Sequence, residues 1–245
     1  MTLNFFLSQV ILVSIYYIVA FSGGNIVKKY GVKANYTRKI NHFSLFFLPM
    51  FLSTWLPFKP DLYTLTISIF VGLISLSVYV YPIRNRINIV AVAFSSFDRP
   101  EDRPHTLLWL TTQIAVTAIV SLPILIYLHS IDKMILFYIP VLINGIGDGL
   151  AEPVGVRFGK HTYKTKALFG HKEYVRSLEG SLCVFIVSIG VIFLLSSHFS
   201  SSQFAGAIIL IPLLMTLAEA KSPHTWDSPF LYGVSGILIA LILLI

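Results

Sequence analysis

The chain has 245 residues, 56% of them hydrophobic and only 12% charged, with a formal net charge of +7. A soluble domain carries about 25% charged residues, so this composition excludes a water-soluble globular fold. The apolar residues come in blocks close to the length of a bilayer-spanning helix, about 20 residues, and leave no room for a separate soluble domain.

Eight blocks are read along the chain, at roughly 3–21, 40–57, 62–82, 107–128, 134–151, 180–196, 203–218 and 229–245. The expected fold class is therefore all-α: a polytopic helical membrane protein of about eight transmembrane helices, with 1–245 a single integral membrane domain. Polar residues end the fifth and seventh blocks early. The first block lacks a basic n-region and its apolar run exceeds an h-region, so it reads as a retained helix rather than a signal peptide. Of the 18 Lys and Arg, all but Lys59 and Lys133 follow helices one, three, five and seven. The positive-inside rule then puts the loops near 22–39, 83–106, 152–179 and 219–228 in the cytoplasm and both termini on the other side. The basic balance needs no nucleic-acid partner. Among the acids only Asp61 and Asp132 fall on the opposite side, which points to one composite site facing the cytoplasm. Cys183 is the single cysteine and excludes an intrachain disulfide.

Four constellations bear chemistry. Arg38, Lys39 and His42 open the second block. The cations either snorkel to the interface or face a phosphate, and His42 either orients a phosphate or hydroxyl or packs at the interface. The fifth block then runs into Gly145-Ile146-Gly147-Asp148-Gly149-Leu150-Ala151-Glu152-Pro153. In a continuing helix Asp148 and Glu152 share a face, but Pro153 disfavours helical geometry at Glu152. The glycines let the backbone open or another helix approach closely. An acid at this depth is expensive and marks function by default; the alternative is a small-residue packing face with Asp148 at a solvated helix end.

A basic loop follows. Gly155-Val156-Arg157-Phe158-Gly159-Lys160-His161 is not a phosphate-binding loop of the Walker type, because three residues rather than four separate its glycines and His follows the Lys. What remains is a flexible cationic segment, with Lys160 and Lys172, that holds phosphates by charge and backbone amides or rests on anionic lipid. At its end Ser177 can cap the sixth helix, whose N-terminus beside Arg176 and Glu179 favours anions. Last, Glu219 and Asp227 lie in a short turn between helices seven and eight, as metal ligands or as solvated charges. The histidines are scattered without Cys partners at zinc spacing. Magnesium fits better, because it takes carboxylates together with substrate phosphates.

The runs GDGLAEPVGVRFGKH and RSLEGS resemble the signature of the polyprenol kinase family, which includes dolichol and phytol kinases, and more loosely that of phosphatidate cytidylyltransferases. RKINH, Arg38 to His42, is similar to the opening of phytol-kinase-like proteins. Glu219-Ala220 with the later Asp227 is similar to their late acidic segment, although Ser228 stands where the family has Asn. Glu152 and Pro153 are also unusual for the first motif, and the stretch from His161 to Arg176 is longer than the family's turn.

The resemblance implies transfer of the γ-phosphoryl group of CTP to an isoprenoid lipid alcohol at the cytoplasmic face, with magnesium. It implies Asp148 as principal magnesium ligand or base, and Glu152, Glu179, Glu219 and Asp227 as further metal candidates. Arg176, Lys160 and Lys172 would neutralise the triphosphate, and Arg38, Lys39 and His42 would face it from another side. Gly149, Gly155, Gly159 and Ser177 fall in the matched motifs and are expected to contact the nucleotide. Two alternatives stay open: a cytidylyltransferase making a CDP-activated lipid, and an ion-coupled transporter built on broken helices with acids.

Overall fold

A computed structural model describes residues 2–59, 61–168 and 173–245. The chain is predominantly helical. Among the described residues, four helices are long and apolar enough to cross a membrane by length and composition: Leu3–Tyr30, Thr106–Ser130, Met134–Phe158 and Ser201–Lys221. This is the architecture of a multi-pass integral membrane protein. Many large apolar side chains face outward, Ile74, Ile186 and Ile237 among them, as lipid-facing helices require and water-soluble ones do not. The chain divides into two compact units, Met1–Ala115 and Val116–Ile245.

The first unit holds α1 (Leu3–Tyr30), α2 (Ala34–Trp55), α3 (Leu62–Ser77), α4 (Tyr81–Arg84), α5 (Asn88–Phe94) and the start of α6 (Thr106–Ser130). α1 stops at Gly31, whose φ of 65° only glycine adopts readily, and the Gly31 N–H returns to the Val27 carbonyl. Asp61 starts α3 with a reciprocal cap: its carboxylate accepts from the Thr64 N–H at 2.7 Å while Thr64 Oγ1 accepts from the Asp61 N–H. The stretch between α3 and α6 reads as a cytoplasmic loop in the sequence but is largely folded. Phe97 packs edge to face on both Tyr79 and Phe94, with Phe94–Phe97 centroids 5.1 Å apart, and the Arg84 guanidinium lies 4.0 Å from the Phe94 ring centre. Gly24 allows α1 to touch α5, since a Cβ there would strike the Val92 carbonyl.

The second unit continues with the later part of α6, α7 (Tyr138–Leu142), a wide π-turn (Ile143–Asp148), α8 (Gly149–Phe158), β1 (Thr162–Lys166), β2 (Glu173–Ser177), α9 (Leu178–Leu194), α10 (Ser201–Lys221) and α11 (Asp227–Leu243). Its core is aliphatic and fully buried, with Ile139, Ile143, Val184, Ile192, Ile211, Met215, Leu231 and Ile239 from α7 through α11.

Two features depart from the sequence expectations. The all-α expectation misses an antiparallel hairpin, β1 with β2, in register from Thr162↔Ser177 to Lys166↔Glu173. Thr162–Lys166 and Glu173–Ser177 of the basic segment are thus paired strands rather than a flexible loop. Its residues alternate: Tyr163, Thr165, Tyr174 and Arg176 turn inward, while Lys164, Lys166, Glu173 and Val175 are exposed. The second departure is at Pro153. The helix does not yield there, and Glu152 and Pro153 sit inside α8. The irregularity lies upstream, where residues 143–148 widen into the π-turn, a form that recurs at functional sites within helices.

Candidate functional site

Three buried acids of the second unit come from three different elements. Asp148 closes the π-turn, Glu219 sits in the last turn of α10, and Asp227 begins α11. The hairpin brings one cation to them. Arg176 Nη1 lies 2.8 Å from Glu219 Oε1 and also donates to the Glu219 carbonyl; Nη2 lies 3.3 Å from Ser222 Oγ and 3.8 Å from Asp227 Oδ2. Burial works against the Arg176 charge, but Glu219, then Asp227 and Asp148, outweigh it and raise its affinity for the proton. One guanidinium thus links the acids of α10 and α11 and feels the field of the acid that ends the π-turn.

A hydroxyl relay reaches the far side of Glu219. Ser181 Oγ donates to Glu219 Oε2 at 2.7 Å, and the Tyr163 hydroxyl stands 2.7 Å from Ser181 Oγ. The single hydroxyl hydrogen of Ser181 is directed at the carboxylate, so Tyr163 is the donor to Ser181. Burial and the Glu219 charge push the Tyr163 phenol up, which keeps that proton in place. Nearby, Ser228 Oγ donates to Asn144 Oδ1 at 3.3 Å, joining α11 to the π-turn.

The sequence candidates divide in the folded chain. Arg176, Glu219 and Asp227 meet, and Asp148 acts on the same guanidinium. Glu179 turns elsewhere: it accepts from the His161 N–H at 3.2 Å and faces His161 Nδ1 at 2.8 Å, closing the base of the hairpin. Glu152 is half-buried one turn beyond Asp148, and Lys160 is exposed just past α8. Ser177 caps α9 by accepting from the Gly180 N–H at 3.1 Å. Gly155 and Gly159 press against that cap, and a Cβ on Gly159 would collide with both Ser177 and the Gly155 carbonyl. These glycines thus hold the end of α8 against the start of α9. Gly149 is buried at the start of α8. Lys172 lies outside the described residues.

Arg38, Lys39 and His42 belong to the first unit. Arg38 is half-buried, Lys39 is buried, and His42 packs on Phe46 with ring centres 4.8 Å apart. The same unit holds a buried pair that sequence reading did not assign, Arg99 with Asp102 at 2.7 Å. Thr37 Oγ1 and Asn41 Nδ2 also bond to Ser96, tying α2 to the stretch after α5.

Tyr163, Ser181, Ser222 and Asn144 were missed as well. Ser181 lies four residues after Ser177 and Ser222 three after Glu219, spacings that share a helix face. Tyr163 could be found only from its cross-strand partner, Arg176.

Among the described residues, no three His, Cys, Asp or Glu side chains are grouped to hold a metal ion. A magnesium ion does not need such a cage, because it keeps water and substrate phosphates and takes one or two protein carboxylates. Comparison with models of known families, with characterised proteins and with solved structures returns no match.

Proposed function

We propose that this chain is a membrane phosphotransferase that passes the γ-phosphoryl group of CTP to an isoprenoid lipid alcohol at the cytoplasmic face, with magnesium. In this reading all eight apolar blocks cross the bilayer and both termini lie outside. The observation that carries it is Arg176 held among Glu219, Asp227 and Asp148, buried carboxylates from the last turn of α10, the start of α11 and the end of the π-turn. CTP and the lipid alcohol come from the motif resemblance alone.

Phosphoryl transfer asks a protein mainly for positioning and charge neutralisation. Asp148 and Asp227 would hold the ion, which supplies charge neutralisation on the triphosphate. Arg176 fixes Glu219 and, through Ser181, the Tyr163 hydroxyl. In this account Arg176 organises the acids, and the exposed Lys160 is the cation that meets phosphate. The acceptor oxygen attacks the γ-phosphorus, its proton passes to a carboxylate, and CDP leaves.

The test is CTP labelled separately at the α- and γ-phosphorus, given with a panel of lipid alcohols. Label from the γ position in a lipid phosphate, with release of CDP, supports the kinase. Label from the α position in the lipid, with release of pyrophosphate, replaces it with a cytidylyltransferase using the same acids.

One observation favours a second reading. The span Met134–Phe158 is interrupted by a π-turn ending at a buried acid, Asp148, and interrupted helices with acids also bind coupling ions in transporters. Ion flux into reconstituted vesicles, with no nucleotide turnover, selects that reading.

A further inference from the structure

The hairpin that brings Tyr163 and Arg176 inward has another face. Val175 is 67% exposed between Lys164, Lys166 and Glu173. Immediately before the hairpin, Phe158 ends α8 with 59% of its surface exposed and the Arg157 guanidinium 5.6 Å from its ring centre. Immediately after it, Leu178 begins α9 at 60% exposure. A ribbon facing only water would carry polar side chains at these positions.

The surroundings explain the apolar ones. Phe158 is the last residue of the candidate span Met134–Phe158, and β1 starts four positions later, so the ribbon begins within a few residues of a bilayer surface. Aromatic rings concentrate at that level, and lysine stems lie along apolar surface with their ammonium groups among the head groups. The charge has the matching sign. Arg157, Lys160, Lys164 and Lys166 stand against Glu173, which is 2.7 Å from Lys164, and Glu179, so the face stays cationic.

We propose that the outer face of the hairpin is a docking surface for anionic phospholipid head groups. Val175 and Leu178 enter the acyl boundary, and Lys164 and Lys166 meet the lipid phosphates. The proposal rests on Met134–Phe158 ending at a bilayer surface and is independent of the reaction assigned above. It also gives lipid charge a route to the acids, because the same two strands carry Arg176 and Tyr163 on their inner face.

The experiment uses the full chain with Cys183→Ser and Val175→Cys, labelled with an environment-sensitive fluorophore. The protein is placed singly in nanodiscs of phosphatidylcholine, alone or mixed with phosphatidylglycerol, with a nitroxide quencher on the head groups. Quenching is expected to be stronger in the anionic discs and to weaken with added salt. Lys164→Gln and Lys166→Gln are each expected to lower the docked-to-undocked ratio roughly fivefold. Both lysines are exposed, so neither change threatens the fold. Equal quenching in the two disc types, or quenching indifferent to both lysine changes, overturns the proposal. Label burial seen only when two copies share a disc also overturns it, and assigns the face to a second copy of the chain.

Discussion

Arg176 and Glu219 meet at 2.8 Å, a guanidinium from β2 against a carboxylate from α10, with side chains 11% and 6% exposed. Removing one partner of a buried pair leaves the other charge without its counterion, at about 3–5 kcal/mol. Arg176→Met should cost that amount in reversible detergent unfolding, since three acids then lose their shared cation. Adding Glu219→Gln should restore part of the loss. Additive effects in the double variant would show that the two residues do not act as a pair.

The glycines between α8 and α9 lead to a contrast within one chain. Gly159→Ala puts a methyl group onto Ser177 and the Gly155 carbonyl, an overpacking worth about 1–3 kcal/mol. Gly190→Ala meets nothing within 4 Å and replaces a helix-interior glycine, which should stabilise by up to about 1 kcal/mol. The same unfolding measurement checks both, and opposite signs are expected.

Glu179 supplies a pH dependence. Its carboxyl is held down to about 2, first by its own backbone N–H and then by His161. A depressed acid contributes its stabilisation fully above its ordinary value of 4.5, and the contribution fades as pH falls through the folded value. Hydrogen exchange of β1 should therefore be unchanged from neutral pH down to about 5 and accelerate relative to the rest of the chain between about 4.5 and 2. In Glu179→Gln that pH-dependent step should disappear.

The Tyr163–Ser181–Glu219 relay separates two hydroxyls. Tyr163→Phe removes an outer donor and should cost about 1 kcal/mol. Ser181→Ala strips a donor from the Glu219 carboxylate and leaves the phenol without its acceptor, and should cost about 1.5–3 kcal/mol. If the relay positions Glu219 for proton transfer, Ser181→Ala also shifts the pH profile of turnover, a change that lost packing alone does not produce.

Much of this arrangement is legible in the sequence. The apolar blocks at 3–21, 107–128, 134–151 and 203–218 fall within the four stretches long and apolar enough to cross a membrane, because a run of bilayer length has little alternative to helix. Asp148, Arg176, Glu219 and Asp227 stand out as charges in or beside the ends of apolar blocks. The hairpin was hidden by its own cations: Tyr163-Lys164-Thr165-Lys166 alternates as a strand does, but read by charge it is only a basic loop. Tyr163 and Ser181 carry no charge, and their meeting depends on strand register. Pro153 was misleading because a proline inside a helix removes one backbone bond, and the chain placed its irregular turn upstream at residues 143–148 instead.

The account's central claim rests on Asp148, a buried carboxylate at the end of that turn. The direct measurement is transfer of label from γ-labelled CTP to a lipid alcohol by the purified chain, side by side with Asp148→Asn. The expected result is labelled lipid phosphate with the wild-type chain and a loss of at least about a hundredfold with the variant, while its unfolding stays close to wild type. Equal transfer by the two proteins, or none by either with any lipid alcohol, would contradict it.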